Sequence, residues 1–288
     1  MPYHAPASVD EAIIALASPG AKILAGGTDF YPSLGDRPIN FPIVDVTRIS
    51  ALKTIAADHD GAVRIGAGAT WSDVVAAPLP HVFQTLKEAA RTVGSIQIQN
   101  NGTLAGNLCN ASPAADGVPA LLSLGAMVEI SGPEGVRVLP LEEFITGVRA
   151  TALGPAQMVT AIIVPSLPAA AASAFEKLGA RRYLVISIAM VSAVIVPRAG
   201  IVESARVAVG SCSAVATRLP ALEDALTGAP LSEAGAVPSP AHIAPLSPID
   251  DVRAPAEYRD AAALELVRRA VARAATAAST QAGTGTAL

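Results

Sequence analysis

Aromatic side chains are scarce, with Trp 1, Tyr 4 and Phe 5 among 288 residues. Any core must therefore be built from Ala, Val, Leu and Ile. Charged residues make up only 15%, yet hydrophobic residues reach 51%, enough to bury a sizeable core and to exclude a chain disordered by composition. Cysteine is nearly absent. Cys109 and Cys212 lie far apart, cannot by themselves hold an iron–sulfur cluster and form no CxxC zinc spacing. The histidines His4, His59, His81 and His242 are scattered, with no HExxH, no nucleophile elbow and no paired metal-ligand spacing. They read as surface or capping residues, so no metal ligands and no catalytic acid–base group are assigned.

Clustered positive charge is also missing. A net charge of −4 without any Lys/Arg stripe argues against a nucleic-acid partner. The most apolar run, Tyr183 to Val196, is interrupted by Ser187 and Ser192 and falls short of the ~18 residues that span a bilayer. The opening MPYHAPASVDEAII lacks the basic region and apolar core of a signal peptide. These absences lead to the expectation of a soluble, cytoplasmic protein with no membrane span.

What is present is an alternation of short elements. Ser8 and Glu11 stand at capping-box spacing before Ile13, Ile14 and Leu16, which predicts a short helix over 8–18. Lys22-Ile23-Leu24, Ile43 to Val46 and Val63 to Gly68 read as strands, and Thr70 or Ser72 as the cap of a following helix. Residues 81–92 carry helical periodicity. Gly94 to Asp116 is rich in Gly and Asn, tolerant of left-handed backbone, and reads as one long functional loop. Ala120 to Ile130 resumes a core pattern, and Val159 to Val164 reads as a buried strand. A linker at 166–174 precedes strand-like segments at 183–196 and 204–209, a helix near 219–227, an irregular Pro-rich stretch at 229–248 and a helix from Tyr258 to Ala274.

Two segments carry chemistry. In Ala25-Gly26-Gly27-Thr28-Asp29, adjacent glycines after a strand suit either a tight turn or a nest of amides around a phosphate; no Gly-Lys-Ser/Thr follows, so it is not a P-loop. Asn101 to Asp116 packs Asn, Thr, Ser and a carboxylate beside apolar core, which suits a ligand with ribose hydroxyls and a pyrophosphate. Within it Cys109 reads as a small buried hydrophobe. Gly66-Ala67-Gly68 is read as structural, because a dinucleotide fingerprint would put its third glycine at Trp71. Lys177 in FEKLGARR is read either as part of a solvated edge or as a cation facing something anionic, such as a reduced flavin.

ILAGGTDFYP at 23–32, NGTLAGNLCNASPAADGVPALLSLGA at 101–126, FEKLGARR at 175–182 and DDVRAPAEYRDAAALELVRRA at 250–270 occur in an order that resembles the FAD-binding (medium) subunit of the molybdenum hydroxylases, the xanthine dehydrogenase and carbon monoxide dehydrogenase family. The resemblance runs from about residue 2 to 275. It implies an α+β fold, with an N-terminal FAD-binding domain of the vanillyl-alcohol-oxidase type made of two α+β subdomains. A smaller C-terminal α+β domain with an antiparallel sheet follows. The corresponding boundaries are 1–168 and 172–276, with a disordered tail at 277–288. By resemblance Ile23, Leu24, Ala25, Gly26, Gly27, Thr28, Asp29 and Phe30 wrap the FAD pyrophosphate. Thr103, Gly106 and Asn107 form a second FAD loop, and Asp116 contacts the cofactor beyond it. Val93 and Val159 pack against FAD, while Lys177 and the apolar Ile186 lie by the flavin ring.

The implied function is electron transfer from 2Fe–2S clusters of a small partner subunit, through FAD, to NAD, oxygen or a quinone. Substrate is hydroxylated at the molybdenum cofactor of a large subunit, all within a heterotrimeric oxidoreductase. The alternatives are a self-sufficient FAD-dependent oxidase or reductase of the same fold, or a binding protein that has lost FAD. Three positions depart from the family pattern: Gln99 stands where Arg is usual, Ala105 where Gly is usual, and Val185 where Asp is frequent. Ala105 is strained if its backbone must be left-handed, and the missing Arg removes a cation near the loop. The cysteine-bearing insertion of the 4-hydroxybenzoyl-CoA reductases is absent.

Overall fold

A computed structural model describes residues 2–181 and 184–284. Arg182 and Tyr183, at the ends of two segments singled out above, lie outside the described residues. The chain divides into two compact units: residues 1–77, 94–111 and 126–166 form one, and 78–93, 112–125 and 167–288 the other. The mixed α+β class is borne out.

The first unit holds two larger sheets. Tyr3–His4, Ile43–Asp45 and Lys22–Leu24 make a parallel sheet in that order. The helix Val9–Leu16 carries the crossover; Ser8 accepts from the Glu11 amide, while the Glu11 carboxylate accepts from the amide of Ala7. Ala12, Val44, Val46, Ile49 and Leu52 form its core. The second sheet is antiparallel, ordered Ile55–Ala57, Val63–Gly66, Met158–Val164, Met127–Gly132 and Gly135–Pro140. Its central strand, MVTAIIV, is buried nearly throughout, which explains its apolar run. Thr70 caps Trp71–Ala76 in a full capping box with Asp73. Gly66 is structural as expected: a Cβ there would lie 2.3 Å from the Leu52 carbonyl oxygen.

The second unit is built on an antiparallel sheet ordered Ala172–Leu178, Ala189–Arg198, Ile201–Gly210 and Thr217–Arg218. The helix Ala256–Thr284 packs on it and buries Ala263, Val267, Ala270, Ala274 and Ala278 at helical spacing. This helix continues past Ala274, where the sequence reading stopped it, to Thr284; Ala278, in the stretch expected to be a disordered tail, is buried, and 285–288 lie outside the described residues. The helices Gln84–Thr92 and Gly117–Leu124 also pack on this sheet. Where they meet it, hydroxyls replace hydrocarbon. Ser192 Oγ lies 2.6 Å from Thr85 Oγ1 and 2.5 Å from Ser123 Oγ; the Thr85 amide donates to Ser173 Oγ, which donates to the Val82 carbonyl. Each of these buried polar groups is thereby satisfied.

The DDVRAPAEYR segment braces this unit from another side. Asp251 accepts from the Arg253 amide and from Arg259 Nη2, at 2.8 and 2.6 Å. The buried Arg259 also donates to the carbonyls of Ile188 and Ser211. These donors hold the Asp251 carboxyl down to about 2, from its usual 3.8. Among the described residues no helix is long and apolar enough to cross a membrane.

Two outcomes follow. Ser192→Ala removes one hydrogen bond from each of two buried hydroxyls, which keep the Ala174 and Ala120 carbonyls as acceptors, and is expected to lower stability by about 1 kcal/mol, measured by urea unfolding. Because the Asp251 value is depressed in the folded state, its contribution is present above pH 3.8 and lost as pH falls toward about 2. Asp251→Asn should therefore be less stable than wild type at neutral pH, with the difference vanishing near pH 2 in an acid-unfolding series.

Candidate functional site

The strand Lys22–Leu24 ends in a turn whose glycines have separate reasons. Gly27 adopts φ +73°, a left-handed conformation that favours glycine. Gly26 is needed for space: a Cβ on it would lie 1.9 Å from the Asn101 carbonyl oxygen and 3.0 Å from the Gly102 Cα. The two segments singled out in the sequence are thus pressed backbone to backbone. Gly102 in turn lies against Thr28, since a Cβ on it would come within 3.2 Å of Thr28 Oγ1. Among the described residues no protein group accepts from the amides of Gly26, Gly27 or Thr28. A turn with free adjacent amides and no side chains in the way fits a diphosphate.

The second segment corrects the expectation of one long loop. Gly94 to Asp116 contains two short helices, Ile96–Asn101 and Leu104–Asn110. Ser95 caps the first by accepting from the Ile98 amide, and Thr103 caps the second by accepting from the Gly106 amide at 3.0 Å. Of the two hydroxyls read as ligand groups in 101–116, Thr103 is thus engaged at a helix start, and Ser112 accepts from the Ala114 amide in a turn. Gly106 is required by that cap, because a Cβ there would stand 2.8 Å from Thr103 Oγ1. Ala105 lies inside the helix, is not among the left-handed residues and carries no strain; Ala111 is the one that turns left-handed, at φ 43°, to end it. Arg149 closes that end, donating from its amide to the Ala111 carbonyl and from its guanidinium to the Asn110 side chain. Leu104, Ala105 and Leu108 face the core; Cys109 is exposed by surface rather than fully buried as expected, although the surrounding protein desolvates its thiol and pushes it up to about 12, while Cys212 is buried.

Trp71, the residue that spoiled the dinucleotide fingerprint, supports this arrangement. It is buried, its amide donates to the Gly102 carbonyl at 3.2 Å, and the Leu104 amide donates to the Ala69 carbonyl. Ile23 and Leu24 lie in the strand, Ala25 packs on the small core, and Asp29 is exposed at the start of the helix Phe30–Leu34. The Phe30 ring meets Phe41 edge-on, and Val159 is buried in its sheet.

The second unit brings together Asp116 and Lys177. Asp116, in the turn before Gly117–Leu124, is 8% exposed and does not cap that helix with its side chain. Its Oδ2 accepts from Lys177 Nζ at 2.6 Å and its Oδ1 from Ser187 Oγ at 2.6 Å. Burial pushes the Asp116 carboxyl above the usual carboxylate range, against the opposing pull of Lys177 and Ser187. Lys177 Nζ also donates to the Thr92 carbonyl, next to the half-buried Val93. Lys177 lines an open cleft of about 600 Å³ with Glu88, Thr92, Phe175 and Leu178. Ile186 is half exposed, at 51%. Sequence reasoning missed Ser187 as a partner. Its signal was there: a hydroxyl interrupting the most apolar run of the chain.

Residues 1–167 match the family model of the FAD binding domain in molybdopterin dehydrogenase, and residues 173–274 match the CO dehydrogenase flavoprotein C-terminal domain. The carbon monoxide dehydrogenase medium chain of Afipia carboxidovorans is 33% identical over 285 residues, covering 94% of this chain and 96% of the relative. The nicotine 6-hydroxylase medium subunit of Paenarthrobacter nicotinovorans is 30% identical over 273 residues, covering 93% and 95%. Among solved structures, the cyanide-inactivated Cu,Mo-CO dehydrogenase matches with a TM-score of 0.88 at 29% identity, over 96% of this chain and 98% of that one.

The contact between the two segments gives a direct test. Gly26→Ala forces the turn away from Asn101 and is expected to weaken FAD binding at least about tenfold, or about 1.4 kcal/mol, by titration of the FAD-free chain. Unchanged affinity would contradict a role for this contact.

Proposed function

This chain belongs to the family defined by the FAD binding domain in molybdopterin dehydrogenase, and we propose that it is the electron-transfer subunit of a cytoplasmic molybdenum hydroxylase complex. In this reading a large subunit holds the molybdenum cofactor and oxidises substrate, and a small subunit holds 2Fe–2S clusters. When bound, FAD supplies the redox centre between those clusters and an external acceptor: NAD, oxygen or a quinone. The names of the relatives, medium chains and medium subunits of dehydrogenases and hydroxylases, support an assembly of several chains.

The observation that carries the reading is the turn at Gly26 to Thr28, pressed on Asn101–Gly102 with its amides free. The family binds FAD, and these donors would grip its diphosphate, with Ile23 to Ala25 and Asp29–Phe30 framing them. Thr103, Gly106 and Asn107 would form the adjoining wall by holding the helix start. Lys177 would present a cation to the flavin ring, and Asp116 would act there through Lys177. Val93, Val159 and Ile186 would supply apolar contact. A fixed cation near the ring favours the anionic reduced form.

The test is purification of the complex from cells that co-express the neighbouring genes. The expected result is bound FAD, not FMN, with partner chains carrying iron and molybdenum. A chain that stays colourless after reconstitution with FAD would contradict the reading. Turnover of an organic substrate by this chain alone would instead establish a self-sufficient flavoenzyme.

A further inference from the structure

We propose that Ser187 is a positioning residue for the Lys177 ammonium, acting through the carboxylate of Asp116. The proposal rests on the reading above, in which that ammonium faces the flavin ring. An ammonium carries three N–H donors and no acceptor. Two of them go to Asp116 Oδ2, at 2.6 Å, and to the Thr92 carbonyl, at 3.2 Å. One donor is left for whatever enters the cleft that Lys177 lines.

Where that donor points depends on the carboxylate. Either oxygen of Asp116 can attract the ammonium, but Oδ1 already accepts from Ser187 Oγ at 2.6 Å. The hydroxyl thus reserves Oδ2 for Lys177 and keeps the ammonium on one side of the carboxylate. Without it, Oδ1 becomes a buried acceptor with no donor, which is costly. The carboxylate then turns to share both oxygens with the ammonium and draws positive charge away from the cleft.

Ser187 is itself held in place. It is 2% exposed. The next residue, Ile188, donates from its amide to the Leu178 carbonyl at 2.8 Å and accepts from Arg259 Nη1 at 2.6 Å. Leu178 directly follows Lys177, so both donors to Asp116 hang from one end of the same strand pair. Arg259 is in turn fixed on Asp251.

The experiment measures the midpoint potential of FAD in the purified complex at pH 8, for wild type, Ser187→Ala, Ser187→Thr and Lys177→Arg. Ser187→Ala is expected to weaken binding of reduced FAD relative to oxidised FAD about tenfold, which for a two-electron couple is a potential about 30 mV lower. Ser187→Thr keeps the hydroxyl and is expected to restore the wild-type value. If Lys177→Arg shifts the potential and Ser187→Ala does not, the positioning role is overturned while the placement of Lys177 stands. If neither variant shifts it, the placement of Lys177 at the ring fails, and the proposal with it. Should Ser187→Ala fail to load FAD, Ser187→Cys, a weaker donor, is read by the same criterion with a smaller fall expected.

Discussion

The first unit depends on a contact in which side chains have no place. At Gly26 the backbone meets the carbonyl of Asn101 so closely that a single methyl group would overlap it. Everything around the contact serves to hold two pieces of main chain together. Trp71 fills the space beneath Gly102, Thr103 starts the helix that follows, and Gly27 takes the left-handed turn that brings the amides round. A surface made of amides rather than side chains suits an anionic group, because its donors are fixed by the backbone and lose little freedom when they bind.

The second unit solves a different problem. Burying a carboxylate is unfavourable unless its oxygens are paired, and burying an ammonium is equally so. Asp116 and Lys177 meet that demand through each other, with Ser187 on the remaining carboxylate oxygen and the Thr92 carbonyl on the ammonium. The ion pair is weak evidence for stability, since desolvation offsets much of the attraction. It is better understood as a way of holding a cation in one place beside a cleft. The hydroxyls of Thr85, Ser123 and Ser192 follow the same rule in neutral form, each buried and each paired.

Much of this was legible in the sequence where local chemistry decides. The caps at Ser8 and Thr70 follow from side-chain spacing, and the buried strand Met158–Val164 from its unbroken apolar run. The family resemblance rested on motifs that fall in both units. The main misreading has a plain cause: polar residues can serve the backbone as well as a ligand. Ser95 and Thr103 cap short helices, so a segment that looked like a loop rich in ligand donors is mostly helical. Cys109 is exposed although Leu104, Ala105 and Leu108 of the same helix are buried. Ser187 was noted only as a break in hydrophobicity. Its partner Asp116 lies 71 residues away in sequence, a pairing that no local pattern encodes.

In the function proposed here, the amides of Gly26, Gly27 and Thr28 grip the cofactor diphosphate. Hydrogen exchange of the chain with and without FAD tests it most directly. Exchange in the segment 25–30 is expected to slow markedly when FAD binds, because amides without a protein acceptor would gain one. Exchange there that stays equally fast in the FAD-loaded protein would contradict it.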